Sequence, residues 1–466
     1  MGDDFSQVGS LIGLGPSRIT ESELISSQAD FFTPPVVDHT VQFNRECVYQ
    51  PMQSLSQAGP LSFVIPGESG LFIDPSTFRL CGKFKVSKLK TGTTGEWENI
   101  PDGEAKDNLS VVNLIGSSLF SNITCTLNGV NVSFVETTNT HYKAYLQSIC
   151  TYGSDAVTTH MEASGFVMDK PKFDEFATNT AYSVRGKWMD KSNTVDFASW
   201  VHCDVLETDR LLTDNMGMTL NFHRARPEFF MMIKASSNNT KYKFELTALE
   251  LRVKKVQLHP KISNEIERRL ANGERMRYPI TRSQIKIFNV AKGQQNINWS
   301  NAIFGQMPYM VCAAMVDQAA FNGDLQLNPY NFQHFNVNDV WYTYNNYDLP
   351  QGHYKPDWTG EHGCTKEYRM VNDQLHGGRK NSGDQITYEL FKNGCTIWPL
   401  DLTSDSCAGY HRHNMGSGTL SFNATFSTPL TKGITVLLYA AYFDEYQIDG
   451  NRVVYAVTDD KVQAIG

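Results

Sequence analysis

Hydrophobic and polar positions alternate with period two over long stretches of this chain. Phe78, Leu80, Phe84 and Val86 alternate with Arg79, Lys83, Lys85 and Ser87, as in a strand with one buried face. Met216, Met218, Leu220 and Phe222 form a second such face. Residues 244–258 predict a long strand whose parity slips near Ala248, as it does at a β-bulge. Residues 123–127 and 130–134 flank Asn128-Gly129, and a type I′ hairpin turn favours this dipeptide because both central residues take positive φ. Further strands are predicted at 285–287, 310–316, 335–344 and 396–402, and along the face of Leu420, Phe422, Ala424 and Phe426. A closing pair, 434–448 and 452–457, surrounds Asp449-Gly450-Asn451.

Helical patterning is scarce. Residues 141–150 predict a short helix among strands, and one longer helix separates the strand-rich halves. Ser263 is its expected cap, Glu265 and Glu267 suit its positive end, Ile266 and Leu270 share a face, and Asn272-Gly273 ends it. A chain of 466 residues exceeds what one core usually supports. The expected organisation is an arm at 1–36, a β block at 37–260, a helical connector at 261–279, a second β block at 280–456 and a tail at 457–466. Two blocks of many short strands with long loops fit paired antiparallel sandwiches or jelly rolls, and no short repeat suggests a solenoid or propeller.

Composition agrees with a folded all-β protein: 41% hydrophobic, 12% aromatic and 19% charged. The net charge of −8 leaves polyphosphate binding to local patches. One basic stretch, at 252–286, holds Arg252, Lys254, Lys255, Lys261, Arg268, Arg269, Arg275, Arg277, Arg282 and Lys286 against Glu265, Glu267 and Glu274. It reads as a solvated connector, with a genome-facing or scaffold-facing surface as the functional alternative. The first 36 residues carry Arg18 as their only Lys or Arg, unlike the basic tails that neutralise phosphates. Met1-Gly2-Asp3-Asp4-Phe5-Ser6 fits the form of an N-myristoylation pattern at Gly2, although Asp3 is an unhelpful neighbour. The opening residues do not read as a signal peptide, and no apolar run reaches bilayer length. Without an export signal, the sequons at Asn108, Asn122, Asn131, Asn239, Asn298 and Asn423 are expected to be unused. Nine scattered cysteines with no CxxC spacing point to intracellular usage rather than a disulfide framework.

Catalytic and cofactor signatures are missing: there is no GxSxG elbow, phosphate-binding loop, HExxH or EF-hand loop. No catalytic residue, cofactor or resident metal is therefore expected. Two weak constellations remain. His411-Arg412-His413 and Glu361-His362-Gly363-Cys364 offer incidental metal ligands. Asp317, Asp324, Asp339 and Asp348, with Trp341, Tyr342, Tyr344, Tyr347, Tyr354 and Trp358, could furnish the paired acids and aromatic groove of a glycosidase. The same aromatics suit packing and subunit contacts.

The order of short segments along residues 301–347 is more specific: Phe304-Gly305-Gln306-Met307-Pro308, Met315-Val316-Asp317, Ala320-Phe321-Asn322-Gly323, Asn328-Pro329-Tyr330-Asn331-Phe332 and His334-Phe335-Asn336-Val337-Asn338. Upstream lie Pro60-Leu61-Ser62-Phe63-Val64-Ile65-Pro66-Gly67, Leu127-Asn128-Gly129 and His141-Tyr142-Lys143-Ala144-Tyr145-Leu146. Arg277-Tyr278-Pro279-Ile280-Thr281-Arg282 and Pro399-Leu400-Asp401-Leu402-Thr403 continue the series. This succession resembles the Polinton (Maverick) and adintovirus major capsid proteins from about residue 60 to 405. The resemblance implies an all-β fold of two tandem antiparallel eight-stranded jelly rolls with short inserted helices and long loops. It also implies a non-enzymatic shell protein that forms homotrimeric, pseudo-hexameric capsomers in the icosahedral capsid of a double-stranded DNA virus or virus-like element. Its expected partners are neighbouring capsomers and a minor, penton-like capsid protein, with at most weak nonspecific DNA contact. A penton-like protein is the alternative, although one jelly roll usually suffices for it; a carbohydrate-binding or glycosidase β-sandwich is the other.

Overall fold

The structure is a computed structural model that describes residues 37–466 apart from 58, 134–138, 238–239, 377–382, 406–411, 414, 459–460 and 465–466. Residues 43–466 form one compact unit and residues 1–42 another. The arm, Gly2 and Arg18 lie outside the described residues. Of the shorter unit, residues 37–42 are exposed and lead into the first strand.

Twelve strands precede the connector helix. They are β1 (Val41–Tyr49), β2 (Leu61–Ile65), β3 (Phe72–Ile73), β4 (Arg79–Leu89), β5 (Trp97–Glu98), β6 (Leu109–Val111), β7 (Phe120–Leu127), β8 (Val130–Asn131), β9 (Val195–Trp200), β10 (Met218–Arg224), β11 (Met231–Ile233) and β12 (Tyr242–Leu258). One sheet runs β1-β12-β4-β5, with β3 beside β12 and β9 beside β4; a second runs β2-β10-β7-β8, and β6 pairs with β11. Ten strands follow: β13 (Met276–Val290), β14 (Asn296–Gln306), β15 (Met310–Asp317), β16 (Val337–Tyr344), β17 (Tyr347–Tyr354), β18 (Ile397–Asp401), β19 (Ser417–Phe426), β20 (Ile434–Ile448), β21 (Val454–Thr458) and β22 (Lys461–Ala464). They form the sheets β18-β15-β20-β21-β22, with β13 on β20, and β14-β19-β16-β17. Among the described residues no sheet takes strands from both halves. The ladders on β4, β10, β19 and β20 are antiparallel.

The alternating faces are buried as their parity requires. Leu80, Phe84 and Val86 point into the core, as do Met218, Leu220 and Phe222 opposite them. The β12 ladder shifts register between Leu246 and Ala248, where the parity slip predicts a bulge. Asn128 and Gly129 take positive φ at the β7–β8 turn, and Asp449 and Gly450 open the loop between β20 and β21. The predicted short helix is α1 (Thr140–Thr151). Two helices the patterning misses are α2 (Thr180–Trp188) and α4 (Thr365–His376).

The connector helix α3 (Pro260–Ala271) starts earlier than its expected cap. His259 Nδ1 accepts from Lys261 N (3.2 Å), and Pro260 holds the first helical position, where it forfeits no intrahelical bond. Ser263 is instead inside the first turn, its hydroxyl bonded to Pro260 O (3.3 Å). The predicted stop holds, with Gly273 at φ +86°.

Residues 318–335, between β15 and β16, form one of the joints between the two halves. Tyr330 is fully buried against α1, stacked on Tyr145 at 4.0 Å and edge-on to Tyr142 and Phe229. Phe321 stacks on Tyr142 from the other side, at 5.7 Å. Several polar groups of the insertion meet the opposite half: Tyr330 Oη with Ser118 Oγ (2.7 Å), Asn328 Nδ2 to Tyr182 Oη (3.0 Å), Asn328 N to Asp174 Oδ1 (2.7 Å) and Ile233 N to Leu325 O (2.6 Å). We expect Tyr330→Ala to cost about 3–5 kcal/mol and Tyr330→Phe only about 1 kcal/mol, the value of one hydrogen bond. Urea unfolding of the three proteins checks this, and an unchanged midpoint for the alanine variant would remove Tyr330 from the joint.

Candidate functional site

The metal-ligand motifs do not converge. His411 lies outside the described residues, and His413 faces Asp405 (3.0 Å) and Ser404 (3.3 Å). Cys364 is buried, its thiol directed at Tyr388 Oη (3.4 Å), while His362 stacks on the Tyr388 ring. Among the described residues no group of three His, Cys, Asp or Glu side chains is placed to hold an ion. Eight cysteines are free thiols, and Cys407 lies outside the described residues.

The four acids are divided by their local roles. Asp317 caps the helix Gln318–Asn322 and pairs with Lys432, and Asp324 binds Gln326 N (2.8 Å) within its own turn. Only Asp339 and Asp348 come together, on either side of His353, at 2.9 Å from Nδ1 and 3.9 Å from Nε2. Trp341 stacks on that imidazole at 4.8 Å. Apart from the exposed Tyr347, the rest of the aromatic set serves packing. Tyr342 and Tyr354 are fully buried and donate to Trp398 O (2.5 Å) and Pro399 O (2.6 Å), and Trp358 Nε1 donates to Val337 O (2.6 Å). The glycosidase geometry, two free carboxyls across an aromatic groove, is not assembled from these residues.

The basic stretch is largely neutralised within the chain. Arg252 pairs with Glu46 and Glu250, Lys255 with Glu68, Arg268 and Arg269 with Glu265, Arg277 with Glu445 and Arg282 with Asp444. Arg275 lies over the Tyr455 ring at 3.9 Å. These partners compete with phosphate for the same guanidinium edges, so the stretch contributes much less positive field than its composition suggests.

Sequence reasoning misses the buried ionic groups entirely, because parity shows burial and not pairing. Lys143 on α1 is enclosed with Asp204 and Glu207, and Asp204 also accepts from Ser283 Oγ of β13 (3.0 Å), which ties the halves together. Burial opposes the Lys143 charge, but its two carboxylates outweigh that and hold its pKa above the ordinary value. Arg185 meets Asp169 at 2.6 Å, both fully buried, and donates to the Val111 and Val167 carbonyls. Arg452, which follows the β20–β21 turn, reaches Asp214 (2.6 Å) and Glu267 (2.8 Å). Each cation is engaged by these carboxylates, although Asp204 Oδ2 and Asp169 Oδ2 are buried without a hydrogen-bond partner.

Burial lowers the pKa of three histidines: His141 and His202 to about 3, the latter aided by Lys143, and His334 to about 4, aided by Lys392. A histidine kept neutral in the fold takes up protons on unfolding below its ordinary value of 6.5, so it withdraws stability as pH falls from there towards 3–4. Asp174, Glu207 and Asp444 are raised by burial and act in the opposite sense. We expect the three histidines to dominate between pH 6 and 4, giving a Tm that falls with pH. Replacing His141, whose Nδ1 has no partner, by Phe should flatten that slope; thermal scans at stepped pH read it directly.

No family model matches the chain. An uncharacterized protein of Caenorhabditis elegans is 24% identical over 374 residues, 79% of this chain and 86% of that protein. Among solved structures, a chain of the Sputnik virophage superposes with TM-score 0.57 at 10% identity, over 96% of this chain and 93% of its own. The mavirus major capsid protein gives 0.54 at 10% identity over 92% and 93%, and a chain of the PBCV-1 virus capsid gives 0.52 at 10% identity over 94% and 99%. The fold of this chain is therefore the double jelly roll of virophage and large DNA virus capsid chains.

Proposed function

We propose that this chain is a major capsid protein. It assembles as a homotrimeric, pseudo-hexameric capsomer that tiles the icosahedral shell of a double-stranded DNA virus or virus-like element, and it is located in the virion. One observation carries the reading: the double-jelly-roll fold shared with the mavirus major capsid protein extends over 92% of the chain. Several of the candidate residues for metal and sugar chemistry, Asp339, Tyr354 and Cys364 among them, are engaged in packing or internal pairing.

The two jelly rolls correspond to residues 37–260 and 280–456, with 261–279 as connector and the flanking segments at 1–36 and 457–466. Partners are further copies of the chain, neighbouring capsomers and a minor, penton-like capsid protein. Exposed aromatics such as Phe304 and Tyr347, 79% and 74% accessible, suit contacts of this kind. The net charge of −8 and the neutralised basic stretch leave only weak, nonspecific DNA contact.

Light scattering and electron microscopy of the purified protein test the assembly. The expected particle is a trimer burying more than about 2,000 Å² per contact, and a stable monomer at micromolar concentration would count heavily against a capsomer. A salt-dependent DNA titration tests the second part. Binding is expected no tighter than the nonspecific range of about 10⁻⁴–10⁻⁶ M; tight binding lost on removing residues 1–36 would overturn it.

A further inference from the structure

Sheet edges expose unpaired backbone groups and are templates for another strand, so their protection shows where a protein avoids pairing. In this chain most edges are protected. β3, β5 and β8 have two residues each, β6 and β11 three, and β22 four. β14 is interrupted between Trp299 and Ile303, where Asn301 has positive φ. β17 carries Pro350, and its ladder with β16 shifts register. β2 is occupied by Met52 N on Ser62 O (2.9 Å) and by Gln53 Oε1 on Ser62 N (2.7 Å). β13 contains Pro279 and gives its Arg277 and Ile280 carbonyls to Arg210 (2.6 Å) and Arg412 (3.0 Å). Ser164 takes Ala198 O of β9 (3.0 Å), and Gln374 of α4 takes Asp401 N of β18 (2.7 Å).

β1 differs from all of these. It terminates its sheet, runs for nine residues and contains neither Pro nor Gly. Phe43 is 54% accessible and Val48 48%, and their opposite parity places an apolar side chain on each face. Its charged residues are already engaged, Arg45 with Glu68 and Glu46 with Arg79 and Arg252.

We propose that the free edge of β1 is an assembly site, completed by a strand from a second copy of this chain. An open edge is filled by a strand through main-chain hydrogen bonds. Apolar side chains on both faces are covered only by a body that wraps the strand, which a short free peptide does not do. Among the described residues no strand of the same chain pairs with this edge. On the capsid reading, on which this inference rests, the molecule packed against every copy is another copy. β1 also continues from residues 1–36, a length that spans up to about 120 Å when extended, so a neighbour lies within reach of the same segment.

The test compares wild type with a Phe43→Glu, Val48→Glu double variant over a concentration series, with hydrogen exchange of residues 43–49 measured in dispersed and assembled protein. The edge amides of β1 should exchange slowly only in the assembled wild type. The variant should keep the wild-type Tm and need about tenfold more protein to assemble, a loss of about 1.4 kcal/mol. Assembly of the variant at wild-type concentration overturns the proposal, as does equally fast exchange in both states, or protection that appears only when DNA or another protein is added. If the double variant does not fold, the wild-type exchange decides alone. A wild type that never assembles defeats the capsid reading first and this contact with it; assembly with an unprotected β1 defeats the contact alone.

Discussion

The aromatic residues between β15 and β16 pack against the other half of the molecule. Tyr330, Phe332 and Phe321 find their partners across the joint, in Tyr142, Tyr145 and Phe229. Each large ring removed from water contributes a few kcal/mol, and ring pairs in stacked or edge-on geometry add to that. Non-directional burial would allow the halves to slide. The hydrogen bonds of Asn328 and Tyr330 are short and directional, and they leave one arrangement in which every buried polar group of the insertion is met. Two sandwiches that share no sheet among the described residues thereby become one compact body.

The buried ion pairs follow from that joint. Lys143 lies one residue from Tyr142 on α1, so seating the aromatic face of this helix also draws an ammonium out of water. Such a charge is tolerated only with partners, and Asp204 and Glu207 supply them, with Ser283 of the second half completing Asp204. Removing one partner would leave the other buried and uncompensated, so the cluster acts as a check on correct docking more than as a source of net stability. The same logic accounts for the enclosed Arg185 and Asp169 pair.

Much of the architecture was legible because strand parity is a local signal. The β12 bulge, the Asn128-Gly129 turn, α1 and the β20–β21 pair are all where the alternation places them. α3 was misjudged at its start because Ser263 has the right side chain for a cap, while the rarer histidine at 259, followed by proline, holds that position. α2 and α4 were missed since they are polar helices covering β blocks, and their stripes are too short to stand out from loop. β17 was missed because Pro350 and Gly352 argue against a strand, a rule that edge strands escape. The candidate site residues were legible as residue types but not as a constellation. Asp339 and Asp348 meet only through the hairpin of β16 and β17, and His353, which separates them, gave no sequence signal of its own.

The charge of the chain and the treatment of its edges belong to one physical problem. At −8 per copy, three copies carry −24, and like charge opposes close packing until salt screens it over about 8 Å. On the capsid reading, attraction between copies must therefore come from contacts of shorter range than the screening length, which means apolar side chains and main-chain hydrogen bonds. Unprotected edges would supply these indiscriminately and lead to open-ended aggregation. The interruption of β14, prolines in β13 and β17 and side-chain caps on β2, β9 and β18 remove much of that route among the described residues. Among the described residues, the long edge left open at β1 then gives association a place, where Phe43 and Val48 are both left to be covered.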